Sequence, residues 1–318
     1  MNQAKPLFVE RISKILNNKK DEEEFWKSNE TYLPNYIRVN TLKISEPELI
    51  KRLEAKGWKL KKITDNIFRI ENKLRPGELG KTKEHLLGYY YVQELSSMMP
   101  VLALQPTEKD IVLDICASPG SKTTQIAAEM KNSGLLFAND NRLDRIIILN
   151  SNLERCGVSN CIVMIEDGMR LPEKLNKKMD RFYFDKILVD APCSGEGTIR
   201  SSDKLLKMWN FHMLNKFSGM QKKILAAAIN LLKENGELTY STCTYAPEEN
   251  EEILQFALDN FPVKIIPFNL PIKTRKPLEE WNGKQFSKEI QNAHRILPQD
   301  NDSEGFFVAK LIKVGGRE

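Results

Sequence analysis

Short apolar runs alternate with helical stretches from about residue 110 onward. Most of these runs are nearly continuous, which is typical of parallel strands covered by helices on both faces. We predict strands at residues 111–115, 135–138, 161–165, 186–190, 237–241 and 305–311, and helices at 122–130 and 142–156. This order predicts a doubly wound, Rossmann-like α/β sheet. The ligand of such a sheet binds at the carboxyl ends of its strands.

The segment before about residue 80 has a different pattern, with a helix, a strand, a second helix and further extended structure. Residues 36–40 alternate as a half-buried strand does. Ser45 and Glu48 form a capping box at the start of the second helix, and Gly57 ends that helix. The pattern predicts a small α/β module ahead of the main domain.

Length and composition limit the class of protein. A chain of 318 residues has room for two domains of ~100–200 residues each, which we place at residues 1–85 and 86–318. No apolar run approaches the ~18 residues that a membrane span needs. Five cysteines, three histidines and no Cys-x-x-Cys argue against a disulfide framework and against a metal site. We therefore expect a cytoplasmic protein that contains no metal and does not enter a membrane.

The charge is unevenly distributed along the chain. Lysine and arginine number 48 against 43 acids, a net charge of +5. Residues 51–62 carry six basic side chains against one acid, and residues 200–223 are also rich in lysine. These stretches are either solvated helix faces or a surface that binds phosphate groups of a nucleic acid. Charge alone does not decide between the two.

The first strand-to-helix loop excludes two common ligand classes. A phosphate loop needs G-x-x-x-x-G-K-[ST], but Cys116 and Ser121 occupy its two glycine positions. The dinucleotide pattern G-x-G-x-x-G fails because Gly120 stands alone. What remains is a tight turn whose backbone can approach a ligand at a helix N-terminus.

Aspartates recur where the predicted strands end. Asp114, Asp140, Asp167 and Asp190 end or follow four successive strands. An acid after the second strand can accept both hydroxyls of a ribose, and one after the third can accept an exocyclic amine. Together they suit a nucleoside without a phosphate tail, such as that of S-adenosylmethionine. The alternative is that aspartate simply favours turns after strands.

Two cysteines follow the fourth and fifth strands. Cys193 follows residues 186–190, and Cys243 follows residues 237–241. If these strands are neighbours, they lie ~4.8 Å apart and both thiols reach one pocket. Most free cysteines are buried and inert, but a thiolate can also attack a pyrimidine ring. Addition at ring carbon 6 makes carbon 5 electron-rich enough to accept a methyl group.

Motifs along the chain carry a family resemblance. They are YVQELSS at residues 91–97, ASPGSKT at 117–123, DAPCSG at 190–195, STCT at 241–244, PEENE at 247–251, RILP at 295–298 and GFFVA at 305–309. With RVNTL at residues 38–42, they resemble the motifs of the NOL/NOP/Sun RNA cytosine-5 methyltransferases, in the same order, over roughly residues 36–311. Ser121, where many relatives have glycine, resembles the bacterial ribosomal branch and its archaeal tRNA-modifying kin.

The resemblance implies a class I methyltransferase sheet, an RRM-like N-terminal module that binds RNA, and S-adenosyl-L-methionine as cofactor. It implies that Cys243 is the nucleophile and that Cys193 helps to take the carbon-5 proton and release the product. Lys122 and Asp190 would contact the flipped base. The implied cofactor-binding residues are Cys116, Ala117, Ser118, Pro119, Gly120, Ser121, Lys122, Asp140, Arg145, Asp167 and Asp190.

The expected reaction is methylation of cytosine carbon 5 in RNA by a monomer, with tRNA preferred over rRNA. A DNA cytosine-5 methyltransferase would use Cys193 as nucleophile, but it needs Glu-Asn-Val, and Glu249-Asn250 is followed by Glu251. An amino-group methyltransferase usually has Asn/Asp-Pro-Pro-Tyr/Phe after the fourth strand, which is Asp190-Ala191-Pro192-Cys193 here. A non-catalytic RNA-binding factor on the same fold would be indicated by loss of the cofactor acids or the nucleophile, and none is lost.

Overall fold

The computed structural model describes residues 4–75, 77–178 and 183–315. Its α-helices are α1 (Pro6–Leu16), α2 (Lys19–Asn29), α3 (Glu46–Glu54), α4 (Lys83–Leu86), α5 (Leu95–Leu104), α6 (Ser121–Glu129), α7 (Leu143–Cys156), α8 (Leu171–Lys178), α9 (Asp203–Met208), α10 (Phe211–Leu231), α11 (Glu251–Asn260) and α12 (Pro298–Asn301). Its strands are β1 (Asn35–Val39), β2 (Leu60–Thr64), β3 (Ile67–Ile70), β4 (Tyr90–Val92), β5 (Ile111–Asp114), β6 (Leu135–Asp140), β7 (Cys161–Ile165), β8 (Phe184–Asp190), β9 (Leu232–Thr242), β10 (Val263–Ile265), β11 (Glu280–Trp281), β12 (Lys284–Gln285), β13 (His294–Ile296) and β14 (Phe306–Lys313).

The main domain is built on one large sheet with the strand order β10-β14-β9-β8-β5-β6-β7, and β13 pairs with β14. The five strands from β5 to β9 are parallel, whereas β14 is antiparallel to β9. Leu113, Ile187 and Leu238 from the middle strands are fully buried, as the continuous apolar runs require. The predicted doubly wound, Rossmann-like α/β fold is confirmed.

The N-terminal module is a four-stranded antiparallel sheet with the order β2-β3-β1-β4. Side chains of β1 alternate between its two faces. Ile37 and Val39 share a buried cluster with Leu49 of α3, while Tyr36 packs with Met98 of the main domain. Both faces are therefore covered, and one of them is covered by the main domain. Strand β4 lies beyond residue 85, so this sheet extends past the boundary that the pattern predicted.

Arg38 fastens the module to the main domain. The side chain of Arg38 leaves the inner face of β1 and is buried. Its guanidinium donates to the Ser121 carbonyl at 2.8 Å, to Gln93 Oε1 at 2.6 Å and to Thr124 Oγ1 at 2.9 Å. Because Ser121 and Thr124 belong to α6, the module is joined directly to the helix that follows the first strand-to-helix loop of the main sheet.

Helices α1 and α2 pack against the main domain instead of the module's sheet. Phe8 of α1 meets Trp209 edge to face, with ring centroids 5.3 Å apart. Arg11 forms a buried salt bridge with Glu248, with Nη2 and Oε2 2.6 Å apart. Helices α1 and α2 therefore pack as part of the main domain.

The capping box predicted for the second helix is wrong in its hydrogen bonds. Ser45 is the N-cap residue of α3, but its side chain accepts no capping hydrogen bond. The side chain of Glu48 pairs with Arg52 instead, at 3.1 Å. The helix ends at Glu54, and Gly57 follows with φ of 82°. The helix itself forms because its apolar face is buried against the sheet.

Candidate active site

The cofactor loop begins where β5 ends at Asp114 and turns into α6. Gly120 is the N-cap of α6, with φ of 102°. A side chain at this position would be strained, and its Cβ would lie 2.9 Å from Leu149 Cδ1 of α7. The single glycine of this loop is therefore required by the backbone turn and by the close approach of α7.

A cavity opens at the carboxyl ends of β5, β6 and β7. It is lined by Ile115, Cys116, Asn139, Asp140, Asn141, Arg145, Asp167, Gly168, Met169, Pro192, Met220 and Ile224. Cys116, Asp140, Arg145 and Asp167 are thus brought together as predicted. The other predicted cofactor residues, 117–122 and Asp190, lie beside this cavity instead of lining it.

The acid at the end of β6 is held by its neighbours. The Asp140 carboxylate accepts from the Arg142 backbone N–H at 3.2 Å and lies 3.2 Å from Arg145 Nη1. Arg145 Nη2 also donates to the Ser118 carbonyl at 2.6 Å, so it connects this acid to the cofactor loop. Asp167 Oδ1 accepts from the Met169 N–H at 3.0 Å. Both acids are fixed at the rim of the cavity, where a nucleoside could bind.

Asp114 was counted among the strand-end acids, but no role was predicted for it. Its Oδ2 accepts from Thr123 Oγ1 at 2.7 Å, while Oδ1 is buried without a partner among the described residues. Burial raises the pKa of Asp114 to about 7. A cationic donor would satisfy this oxygen, and the ammonium of S-adenosylmethionine is such a donor. The residues present therefore fit this cofactor, and the strand-end position was the signal for Asp114.

Lys122 and Asp190 form the predicted pair. Lys122 Nζ lies 2.8 Å from Asp190 Oδ2 and 2.9 Å from Ser97 Oγ, and its side chain is buried. Asp190 Oδ1 accepts from Ser241 Oγ at 2.8 Å. The pair joins the first turn of α6 to the ends of β8 and β9. Ser97, from the motif at residues 91–97, accepts a hydrogen bond from Lys122 at the same place.

The two predicted cysteines lie in contact. Strands β8 and β9 are parallel neighbours, with Asp190 opposite Ser241. The Sγ atoms of Cys193 and Cys243 are 3.2 Å apart, and both residues are partly exposed. The contact with Cys243 and burial raise the pKa of the Cys193 thiol well above its ordinary value. The predicted meeting of the two thiols is confirmed, while their roles stay predictions.

The motif at residues 247–251 supports the segments that carry the two cysteines. Sequence reasoning missed this supporting role. Glu249 Oε2 accepts from the Ser194 N–H at 3.0 Å and from Gln221 Nε2 at 2.8 Å. Asn250 Oδ1 accepts from Thr242 Oγ1 at 2.6 Å. Glu248 forms a salt bridge with Arg11, and Glu251 forms one with Arg295. Because these partners are far away in the sequence, local patterns carried no signal for them.

The basic stretches are only partly available to a nucleic acid. Lys56 pairs with the buried Glu84 at 2.5 Å, and the Arg200 side chain, 1% exposed, pairs with Asp302. The exposed cations of residues 51–62 include Lys51, Lys59 and Lys61. A phosphate-binding surface would therefore be smaller than the charge count indicates.

Two broader properties concern only the part of the chain that the structure describes. None of its helices combines the length and the apolar character that crossing a bilayer requires. No group of three or more His, Cys, Asp or Glu side chains within it is arranged to hold a metal ion.

The sheet topology and the acid-lined cavity at the carboxyl edge place the protein among the Rossmann-like methyltransferases that use S-adenosylmethionine. The family model described as 16S rRNA methyltransferase RsmB/F matches residues 101–312, and that of the N-terminal domain of 16S rRNA methyltransferase RsmF matches residues 5–95. The chain belongs to the RsmB/F family. The predicted family and cofactor are confirmed, while the roles of single residues stay predictions.

Curated and solved relatives agree with this family. The tRNA (cytosine(49)-C(5))-methyltransferase of Pyrococcus abyssi is 41% identical over 96% of this chain and 95% of its own length. The ribosomal RNA small subunit methyltransferase F of Vibrio campbellii is also 41% identical, over 96% of this chain but 63% of its own length. The crystal structure of a methyltransferase homolog protein from Pyrococcus horikoshii has a TM-score of 0.82 and 35% identity, covering 98% of this chain and 100% of that one.

Proposed function

We propose that this protein transfers a methyl group from S-adenosylmethionine to carbon 5 of a cytosine in tRNA, through a covalent bond between Cys243 and carbon 6. The observation that carries the proposal is the thiol pair, 3.2 Å apart, beside the Lys122–Asp190 pair. Both pairs lie at the carboxyl edge of the sheet that carries the cofactor cavity. A protein that only bound RNA would have no use for two partly exposed thiols there.

Attack on the base begins at Cys243. Its thiolate adds to carbon 6, and the electrons of the carbon 5–carbon 6 double bond move into the ring. Asp190, as a carboxyl group at a ring nitrogen, and Lys122, as a cation, stabilise the charge that develops on the base. Bound S-adenosylmethionine would supply the electrophilic methyl group for carbon 5 and would leave as S-adenosylhomocysteine. The base reaches this pocket only after leaving its stack.

Product release is the part of Cys193. Its raised pKa comes first from the contact with Cys243, and that contribution disappears once the Cys243 sulfur is bonded to carbon. Cys193 can then lose its proton to solvent and accept the one on carbon 5. The double bond re-forms between carbons 5 and 6, and Cys243 leaves as a thiolate. One thiol thus opens the reaction and the other closes it.

The preference for tRNA rests on the relatives. The tRNA enzyme of Pyrococcus abyssi is 41% identical to this chain over 308 residues. A ribosomal substrate is the second candidate, because the Vibrio enzyme is equally identical at 41%. We further propose that the protein acts in the cytoplasm as a monomer. In vitro methylation of tRNA and of 16S rRNA, followed by bisulfite sequencing, separates the two substrates.

Two variants on one denaturing gel test the roles of the thiols. Cys243→Ala, incubated with RNA and S-adenosylmethionine, should give neither methyl transfer nor a covalent complex. Cys193→Ala should attack and methylate but stall, so an enzyme–RNA adduct should survive denaturation. An adduct from Cys243→Ala and none from Cys193→Ala would reverse the assignment. Full activity in both variants would show that neither thiol takes part.

A further inference from the structure

The turn that carries Cys193 is held from behind by two buried side chains that the proposed reaction does not use. Glu249 Oε2 accepts from the Ser194 backbone N–H at 3.0 Å. Gln221 Nε2 of α10 donates to the Pro192 carbonyl at 2.9 Å and to Glu249 Oε2 at 2.8 Å. The residues on both sides of Cys193 are therefore bonded to the same pair, which leaves the thiol little freedom to move.

The contact between Glu249 and Gln221 leaves buried polar atoms unpaired, which is uncommon for a purely structural contact. Glu249 and Gln221 are both fully buried, yet Glu249 Oε1 and Gln221 Oε1 have no hydrogen-bond partner among the described residues. Leaving such atoms unpaired destabilises the folded state, and an apolar pair would avoid that cost. Burial also raises the pKa of Glu249 to about 7. A function for the carboxyl group would explain why it stands there.

We infer that Glu249 is a positioning residue for Cys193, fixing the turn at residues 192–194 so that the thiol reaches the carbon-5 proton after methyl transfer. The inference rests on the release role proposed for Cys193. The backbone of Cys243 is held separately, by the Gly197 N–H at 2.8 Å. Loss of Glu249 should therefore disturb the releasing thiol more than the attacking one.

Electrostatics supports the same assignment. The carboxylate of Glu249 adds to the effects of Cys243 and burial in raising the pKa of the Cys193 thiol. A sulfur with a higher pKa is a stronger proton acceptor once it has lost its own proton. Position and basicity of Cys193 thus depend on one buried side chain.

The test compares three substitutions of Glu249 by covalent trapping with tRNA and S-adenosylmethionine. Glu249→Ala removes the acceptor, and Glu249→Asp shortens its reach by one methylene while keeping the charge. Both should raise the fraction of enzyme trapped as adduct by about 10-fold or more, because small misplacements of a reacting group are costly. Glu249→Gln keeps an oxygen for the Ser194 N–H and removes only the charge, so its trapped fraction should lie between that of Glu249→Asp and that of the unsubstituted protein. Glu252→Ala, in the helix α11 that follows Glu249, removes a salt bridge to Lys284 of β12 and should leave trapping unchanged.

The outcomes separate the inference from the function on which it rests. An adduct in Cys193→Ala but none in Glu249→Asp would overturn the positioning role alone. Equal loss of attack and release in Glu249→Asp, without trapping, would overturn it as well. If Cys193→Ala itself forms no adduct, the release role falls and the inference with it. Should Glu249→Ala fail to fold by thermal melting, the aspartate and glutamine variants decide the question.

Discussion

The cofactor cavity and the cysteine pair lie at the same edge of one sheet, but different kinds of contact hold them. In the cavity, Asp167 bonds a backbone group 2 residues away, and Arg145 reaches a carbonyl 27 residues away. The two cysteines are 50 residues apart, and Glu249 bonds a backbone group 55 residues away. The cavity is assembled by strand-to-helix loops, whereas the cysteine pair exists only when β8 and β9 are in register.

This difference predicts that cofactor binding and the covalent steps depend on separate sets of residues. Changes among the cavity residues should alter the affinity for the cofactor and leave the covalent steps intact. Changes around the thiols should alter the covalent steps and leave that affinity intact. The following substitutions test whether the two regions are independent, beginning with the residue that joins them.

The largest effect is expected at Lys122, which starts from the cofactor loop and ends at Asp190. Lys122→Met removes the cation that we propose to lie beside the base, so turnover should fall roughly 10²–10³-fold, as for the loss of a donor to a developing negative charge. Cofactor affinity, measured by calorimetry, should change little. A 10-fold or larger loss of that affinity would assign Lys122 to the cavity instead. Lys131→Met, just beyond the same helix, is the matched control.

Asp140→Ala should weaken S-adenosylmethionine binding by about 100-fold, the loss of one to two hydrogen bonds to a charged acceptor. At saturating cofactor, the pattern of covalent adducts should match that of the unsubstituted enzyme. Trapped adduct in Asp140→Ala would show that the regions are coupled. Asp144→Ala removes an exposed acid that pairs with Arg142 and should bind the cofactor normally.

A smaller effect is expected on the free energy of unfolding, through the ionisation of Asp114 in the protein without cofactor. Because its folded pKa is raised to about 7 from 3.8, the folded state binds the proton more tightly than the unfolded state. Its contribution to stability is therefore present at low pH and is lost as pH rises toward about 7. Between pH 5.5 and 7.5 the free energy of unfolding should fall by about 2 kcal/mol relative to Asp114→Asn. Urea unfolding of both proteins at the two pH values measures this difference, and parallel curves would contradict it.

The smallest effect is expected on a surface that belongs to neither region. Lys59→Glu should weaken RNA binding a few-fold at low salt and lower the salt slope by ~0.7–0.9, the value of one phosphate contact. Lys109→Glu makes the same charge change at an exposed lysine before β5, at the edge of the main sheet that lies opposite the active site. Equal effects of both substitutions would point to net charge instead of a defined contact.

Sequence patterns were sufficient for the sheet and for the cavity because both depend on local order. Continuous apolar runs predicted β5 to β9, and the strand-end acids predicted Asp140 and Asp167 at one cavity. The thiol contact could be predicted only on the condition that β8 and β9 were neighbours. Glu249 could not be predicted, because its partners come from the turn after β8 and from α10, and no local period records such a meeting.

The burial of both faces of the N-terminal sheet has a consequence for how a target cytosine is selected. An RRM-type module usually presents its open sheet to RNA, and here that face is occupied by the catalytic domain and locked by Arg38. Any RNA contact made by this module must then use α3, its loops or its strand edges, at a fixed distance from Cys243. Such a protein would measure a set spacing along its substrate, from the contacted segment to the modified base, and shifting that segment by one nucleotide should move or abolish methylation.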